Sequence, residues 1–176
     1  VQFGVGGAWK LGQICPVRVQ LTAELQAAAT AIEIQSIDGD GVEVIYRQLL
    51  TAGSFSSGGV VWIPIRIGRQ QAAIEVRVLG QDVGSIYRQS FEGSELGQGL
   101  PSNQPLIVAL GSSMGVETLS RSSADGGNST FSTVRLESAD DVPPHSNAYS
   151  SCDLVVISGS APELLLSLDG DQWSAV

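Results

Sequence analysis

The sequence predicts a β-sandwich over residues 1–95, a linker at 96–104, and a partial α/β layer on a parallel sheet over 105–176. Three observations predict it. Runs that alternate apolar and polar residues recur before residue 95, with turn signals about every 8–12 residues. No segment there sustains a helical period. Beyond the Gly/Ser/Pro/Asn-rich stretch Gly93–Gln104, continuous apolar runs replace alternating ones, as in strands covered on both faces.

The elements follow in order. Val17–Thr22 alternates, and so does Ile32–Gln35. Asp38-Gly39-Asp40-Gly41 breaks the pattern before Val42–Tyr46 resumes it, which reads as a hairpin. Val60–Ile67 is a further strand, and Pro64 assigns it to an edge or a bulge because proline has no N–H for the ladder. Ile74–Val78 alternates cleanly, and Val83–Phe91 is a weaker strand. Glu24–Thr30 has helix-forming composition but is too short to stand alone, so it reads as a loop with one turn. In the second piece Leu106–Leu110 is a buried strand ended by Gly111. A short helix is expected over Gly115–Ser122, a loop over Ala124–Ser132 and a strand over Thr133–Glu137. Asp153–Gly159 reads as a second buried parallel strand. Glu163–Leu168 reads as one turn on the sheet, and Asp169 as the N-cap of a helix through Gln172 and Trp173. Trp9, Trp62 and Trp173 are expected to pack as anchors.

Composition excludes whole classes of function. The formal net charge is −9, from 18 acidic and 9 basic side chains. Phosphate backbones and anionic membranes repel such a surface, so nucleic-acid partners are not expected. The basic set is Lys10 and eight arginines. Half of the arginines (Arg18, Arg47, Arg66, Arg77) fall in strand-like runs, where a solvated face accommodates them. No run approaches the ~20 apolar residues of a membrane span. One histidine and two distant cysteines, Cys15 and Cys152, cannot supply zinc-ligand spacing, and they make no disulfide framework. No metal and no cofactor is expected.

Gly111-Ser112-Ser113-Met114-Gly115 matches G-x-S-x-G between a strand and an expected helix. A hydrolase of that kind needs a base and an acid, and the chain offers His145 and Asp140 in the formally right order. The elbow falls on the first strand of its sheet, however, so a tight turn is the simpler account and no catalytic residue is assigned. The same loop suits a small ligand, because open α/β sheets bind ligands at strand carboxyl ends. The candidate ligand-binding residues are Gly111, Ser112, Ser113, Ser158 and Ser160, which share one mouth if their strands are parallel. Asp38 and Asp40 resemble a fragment of a calcium loop but lack its remaining ligands. Asn128-Ser129-Thr130 is a glycosylation triplet.

Val5-Gly6-Gly7-Ala8-Trp9-Lys10-Leu11-Gly12-Gln13 followed by Pro16-Val17-Arg18-Val19 resembles the opening of a family of bacterial envelope proteins. Tyr149–Ile157 and Leu168–Val176 resemble later segments of the same family. Its members join an N-terminal immunoglobulin-like domain to a class I glutamine amidotransferase-like, flavodoxin-like domain. The resemblance implies an immunoglobulin-like β-sandwich, a truncated flavodoxin-like domain, and a membrane-tethered, extracytoplasmic parent protein (periplasm or cell envelope). Amidotransferases carry a nucleophilic cysteine after a strand, with a downstream His-Glu pair; Cys152 precedes its strand and does not match. The expected function is a non-catalytic interaction or scaffold module, with a protein partner or self-association. The alternative is a fragment of an amidotransferase-like or hydrolase enzyme whose catalytic residues lie outside this chain.

Overall fold

The computed structural model describes residues 1–55, 57–82, 84–115 and 131–176. The described residues are rich in β-structure, with antiparallel sheets and one three-stranded parallel sheet. The expected helix after Gly115, most of the loop before Ser132 and the triplet at Asn128 lie outside them.

The first unit holds two antiparallel sheets. One runs β1 (Gln2–Phe3), β3 (Ile14–Gln20), β6 (Val60–Arg66), with β6 at its edge. That edge position accommodates Pro64, which sits opposite Pro16. The other runs in the order β5 (Glu43–Leu49), β4 (Ala31–Ile37), β7 (Ile74–Leu79), β8 (Ser85–Phe91). Alternation along β3, β4, β6 and β7 turns one set of side chains inward. Val17 and Val19, Val61 and Ile63, Ile32 and Ile34, and Val76 and Val78 meet in one core shared by both sheets. Phe3 meets Phe91 edge to face, with ring centroids 5.4 Å apart.

Three of the strand arginines are paired on the outer face of the four-stranded sheet. Arg47 pairs with Glu33 at 2.9 Å, Arg77 with Glu75 at 2.7 Å, and Arg88 with Glu75 at 2.6 Å. Arg47 and Arg88 reach across to the neighbouring strand, and Arg77 reaches two residues along its own, where side chains share one face. Between β4 and β5 the Asp38 carboxylate accepts the backbone N–H groups of Asp40 (3.0 Å) and Val42 (2.8 Å). Its work is to close a turn. Residues 23–28 form a short helix, α1, capped by Thr22.

Two short strands join this unit to the next. β2 (Ala8–Lys10) pairs in parallel with β9 (Gln98–Leu100), so the stretch read as a boundary is itself ordered. Successive residues of β2 point opposite ways: Trp9 enters the first core, while Ala8 enters the second. The Trp9 indole donates to the Leu96 carbonyl at 2.7 Å.

The parallel sheet has the order β11 (Ser132–Leu136), β10 (Leu106–Leu110), β12 (Leu154–Ile157). Numbered from its first strand this is 2-1-3, the order that opens one kind of doubly wound sheet. β10 is buried throughout, as its continuous apolar run requires. Its alternate residues Leu106, Val108 and Leu110 face a second core with Leu136, Val142, Tyr149, Leu164 and Leu168. Helices α2 (Pro162–Ser167) and α3 (Gly170–Ala175) follow β12. Asp169 caps α3 in a reciprocal box with Gln172.

Two expectations need correction. β12 was expected to be buried on both faces, but it lies at the sheet edge and leaves Leu154 and Ile157 49% and 46% exposed. β10 takes the central place because both later strands pair with it. Trp173 was expected to anchor; on α3 it is exposed, and Gln172 is the residue that turns inward.

Candidate functional site

Because the strands are parallel, the loops after β10 and β12 emerge at the same end of the sheet. Gly111 has φ +83, and a Cβ there would fall 2.8 Å from the Ala161 Cβ, so glycine lets the two loops touch. Arg135 of β11 donates from Nε to the Gly111 carbonyl at 2.7 Å and stands 3.2 Å from Glu137. Ser158 is buried; its Oγ lies 2.7 Å from Ser160 Oγ and accepts the Ser160 N–H at 3.2 Å. Ser112 Oγ accepts the Met114 N–H at 3.2 Å, and Ser113 is buried. Thus Gly111 and Ser158 adjoin, Ser160 bonds to Ser158, and Ser112 and Ser113 follow on the adjoining loop. Most of the hydroxyls bond to their own loops, which is what tight turns do.

A different place holds the concave surface. On β6, Val61, Ile63 and Ile65 face the first core, so Val60 and Trp62 face the opposite way, toward the second unit. There Arg18 of β3 donates to the Asp140 carbonyl at 3.0 Å. Clefts of about 410, 550 and 260 Å³ adjoin in this interlayer region. The first two share Pro144, His145 and Asp171; the first and third share Trp62 and Asp169.

The cleft walls are held firmly. Gln172 is buried and donates from Nε2 to the carbonyls of Ala139 (2.7 Å) and Val142 (2.8 Å), fixing α3 against the turn at Ala139–Asp141. The Tyr149 hydroxyl donates to the Pro143 carbonyl at 3.3 Å, steadying the chain just before His145. Burial pushes the Tyr149 phenol well above its ordinary range, so it stays a donor. His145 lines this cleft and Ser113 does not, so the elbow serine and the histidine do not share it.

A third cluster ties the two units together. Lys10, buried on β2, donates from Nζ to the Asp153 carboxylate at 2.5 Å. The same Asp153 oxygen accepts the Leu106 N–H at 2.7 Å. The Lys10 bond first, and the Leu106 N–H next, hold the Asp153 carboxyl below its ordinary range. Cys152 beside it is free, and desolvation pushes its thiol up to about 11. Cys15 is also free and buried, with its thiol raised by burial.

Sequence reasoning missed the cleft. One signal was present: Val60-Val61-Trp62-Ile63 is apolar at every position, so β6 must be covered on both sides. Among the described residues no group of three or more His, Cys, Asp or Glu is arranged to hold a metal ion. No helix among them is long and apolar enough to cross a membrane. No family model matches the chain, and no curated protein is significantly similar to it.

Proposed function

We propose that the chain is a non-catalytic interaction or scaffold module of a larger, membrane-tethered extracytoplasmic protein. In this proposal the first unit is a β-sandwich of immunoglobulin-like type and the parallel sheet is the start of a flavodoxin-like layer. One observation carries it. Among the described residues β12 pairs on one side only, with β10, and its side chains Leu154 and Ile157 are half exposed. Free edges of this kind accept a further strand, with main-chain hydrogen bonds giving affinity and alternate side chains giving selectivity. No charged residue lies within Leu154–Ile157 to discourage it.

Sedimentation velocity over a concentration series tests this, comparing the wild type with Leu154→Lys/Ile157→Lys. Both positions are already half exposed, so the lysines leave folding intact. The wild type is expected to associate and the variant to stay monomeric. A wild type that is strictly monomeric, with β12 amides exchanging as fast as those of an unfolded chain, would contradict the proposal.

A further inference from the structure

We propose that the open edge of β5 pairs antiparallel with the β5 edge of a second copy of this chain, about a two-fold axis at Ile45. Main-chain geometry sets the register. Among the described residues β5 pairs with β4 alone. At one end of that ladder the Asp38 N–H donates to the Val42 carbonyl, and at the other the Leu50 N–H donates to the Thr30 carbonyl, both at 2.9 Å. An antiparallel strand bonds to one neighbour through every second residue. Val44, Tyr46 and Gln48 therefore turn their main-chain groups to β4, and Glu43, Ile45 and Arg47 turn theirs to the open edge. A two-fold at Ile45 sets Ile45 against its twin, and Glu43 of each copy against Arg47 of the other. Every outward N–H along this stretch then meets an outward carbonyl.

The side chains select a second copy as the occupant. Glu43, Ile45, Arg47 and Leu49 share the outer face of the strand, and Ile45 and Leu49 are 51% and 66% exposed. Charges on an edge strand ordinarily keep another copy away. Here the opposite signs stand two residues to either side of Ile45, so the two-fold turns them into two Glu43–Arg47 pairs. The exposed Ile45 side chains meet between those pairs. Axes at Val44 or Tyr46 also match outward groups, but they leave Glu43 and Arg47 opposite isoleucine, leucine or glycine. Axes at Glu43 or Arg47 set like charges together. Both charged groups are already steadied for the task. Arg47 donates from Nε to Glu33 at 2.9 Å, and a guanidinium has further donors for a second carboxylate. Glu43 accepts from Gln35 Nε2.

The contact is weak. Exposed ion pairs add little, and each copy carries a net charge of −9 that repels the other. A dissociation constant of about 1 mM is expected, above the concentrations at which sedimentation reads the β12 edge. Copies held side by side, as the tethering proposed above would hold them, meet at effective concentrations of about that order.

Light scattering on the full chain tests this at about 1 mM protein, with salt at about 0.15 M to screen the net charge. The measurement uses the Leu154→Lys/Ile157→Lys background, which removes association through β12. The weight-average mass is expected at about 1.5 times that of one chain, as for half the chains paired. Added to that background, Glu43→Arg and Arg47→Glu, both at exposed positions, are each expected to return the mass of one chain. Each variant sets like charges opposite one another in its own dimer. An equimolar mixture of the two is expected to associate again, because opposite signs then face across the axis. A background that stays one chain at about 1 mM would overturn the proposal and leave the β12 reading, which the wild type tests, standing. Undiminished association of Glu43→Arg would overturn it too, as would a mixture that stays at the mass of one chain.

Discussion

Removing the Asp153 carboxylate should cost this protein more than an exposed acidic residue ordinarily would. Lys10 lies across the joint between the two units with its side chain 6% exposed, and Asp153 is its ion-pair partner among the described residues. Asp153→Ala leaves an ammonium in the interior and strips the Leu106 N–H of its acceptor. Breaking a fully buried pair costs about 3–5 kcal/mol. Here the Asp153 side chain is half exposed, so water can reach the vacated place, and about 2–3 kcal/mol is the better figure. For a chain of this length that is a fall in Tm of roughly 4–12 °C. Lys10→Met should cost less, about 1 kcal/mol, because no buried charge is stranded. The double variant Lys10→Met/Asp153→Ala should be more stable than Asp153→Ala alone, a non-additivity that urea unfolding can measure. The pH dependence follows from the depressed carboxyl. Its stabilising share is complete well above the ordinary value of 3.8 and disappears as pH falls through the lower folded value. Between those two values the unfolded chain binds more protons, so stability rises with pH; Asp153→Asn should flatten that limb. An Asp153→Ala variant within about 0.5 kcal/mol of wild type at pH 7 would refute the coupling.

Three further outcomes follow from the same geometry. Gly111→Ala places a methyl 2.8 Å from the Ala161 Cβ at φ +83, and thermal unfolding should show a loss of about 1–3 kcal/mol. Gln172→Ala removes both donors that hold α3 to the carbonyls of Ala139 and Val142, at a cost of about 2 kcal/mol in urea unfolding. Cys152, with its thiol near 11, should react with a thiol reagent far more slowly at pH 7.5 than an ordinary cysteine, and faster as pH rises toward 11. In urea it should match a free cysteine.

Local pattern accounts for much of the fold. The alternation at Val17–Gln20 and at Ile32–Gln35 marks β3 and β4 because each lies with one face on a core and the other toward polar surroundings. The unbroken apolar run Leu106–Leu110 marks β10 because both its faces are covered. Asp169 and Gln172, three residues apart, spell a helix start directly. What local pattern does not carry is who lies beside whom. The Lys10–Asp153 bond spans 143 positions, and nothing around either residue names the other. The 2-1-3 strand order, which sends β12 to the edge, depends on both later strands choosing β10. The candidate site divides in the same way. The serine loops after β10 and β12 were legible because glycine and serine follow each apolar run. The cleft was not, because Trp62 meets His145 and Asp169 only after the second unit has packed on the first.

Hydrogen exchange on β12 tests the central claim most directly. Its outward-facing amides should exchange rapidly in dilute protein and slow markedly at high concentration, while those of β10 stay protected throughout. Outward β12 amides that exchange at the same rate at every concentration, with the protein monomeric, would contradict the account of this strand as an open interaction edge.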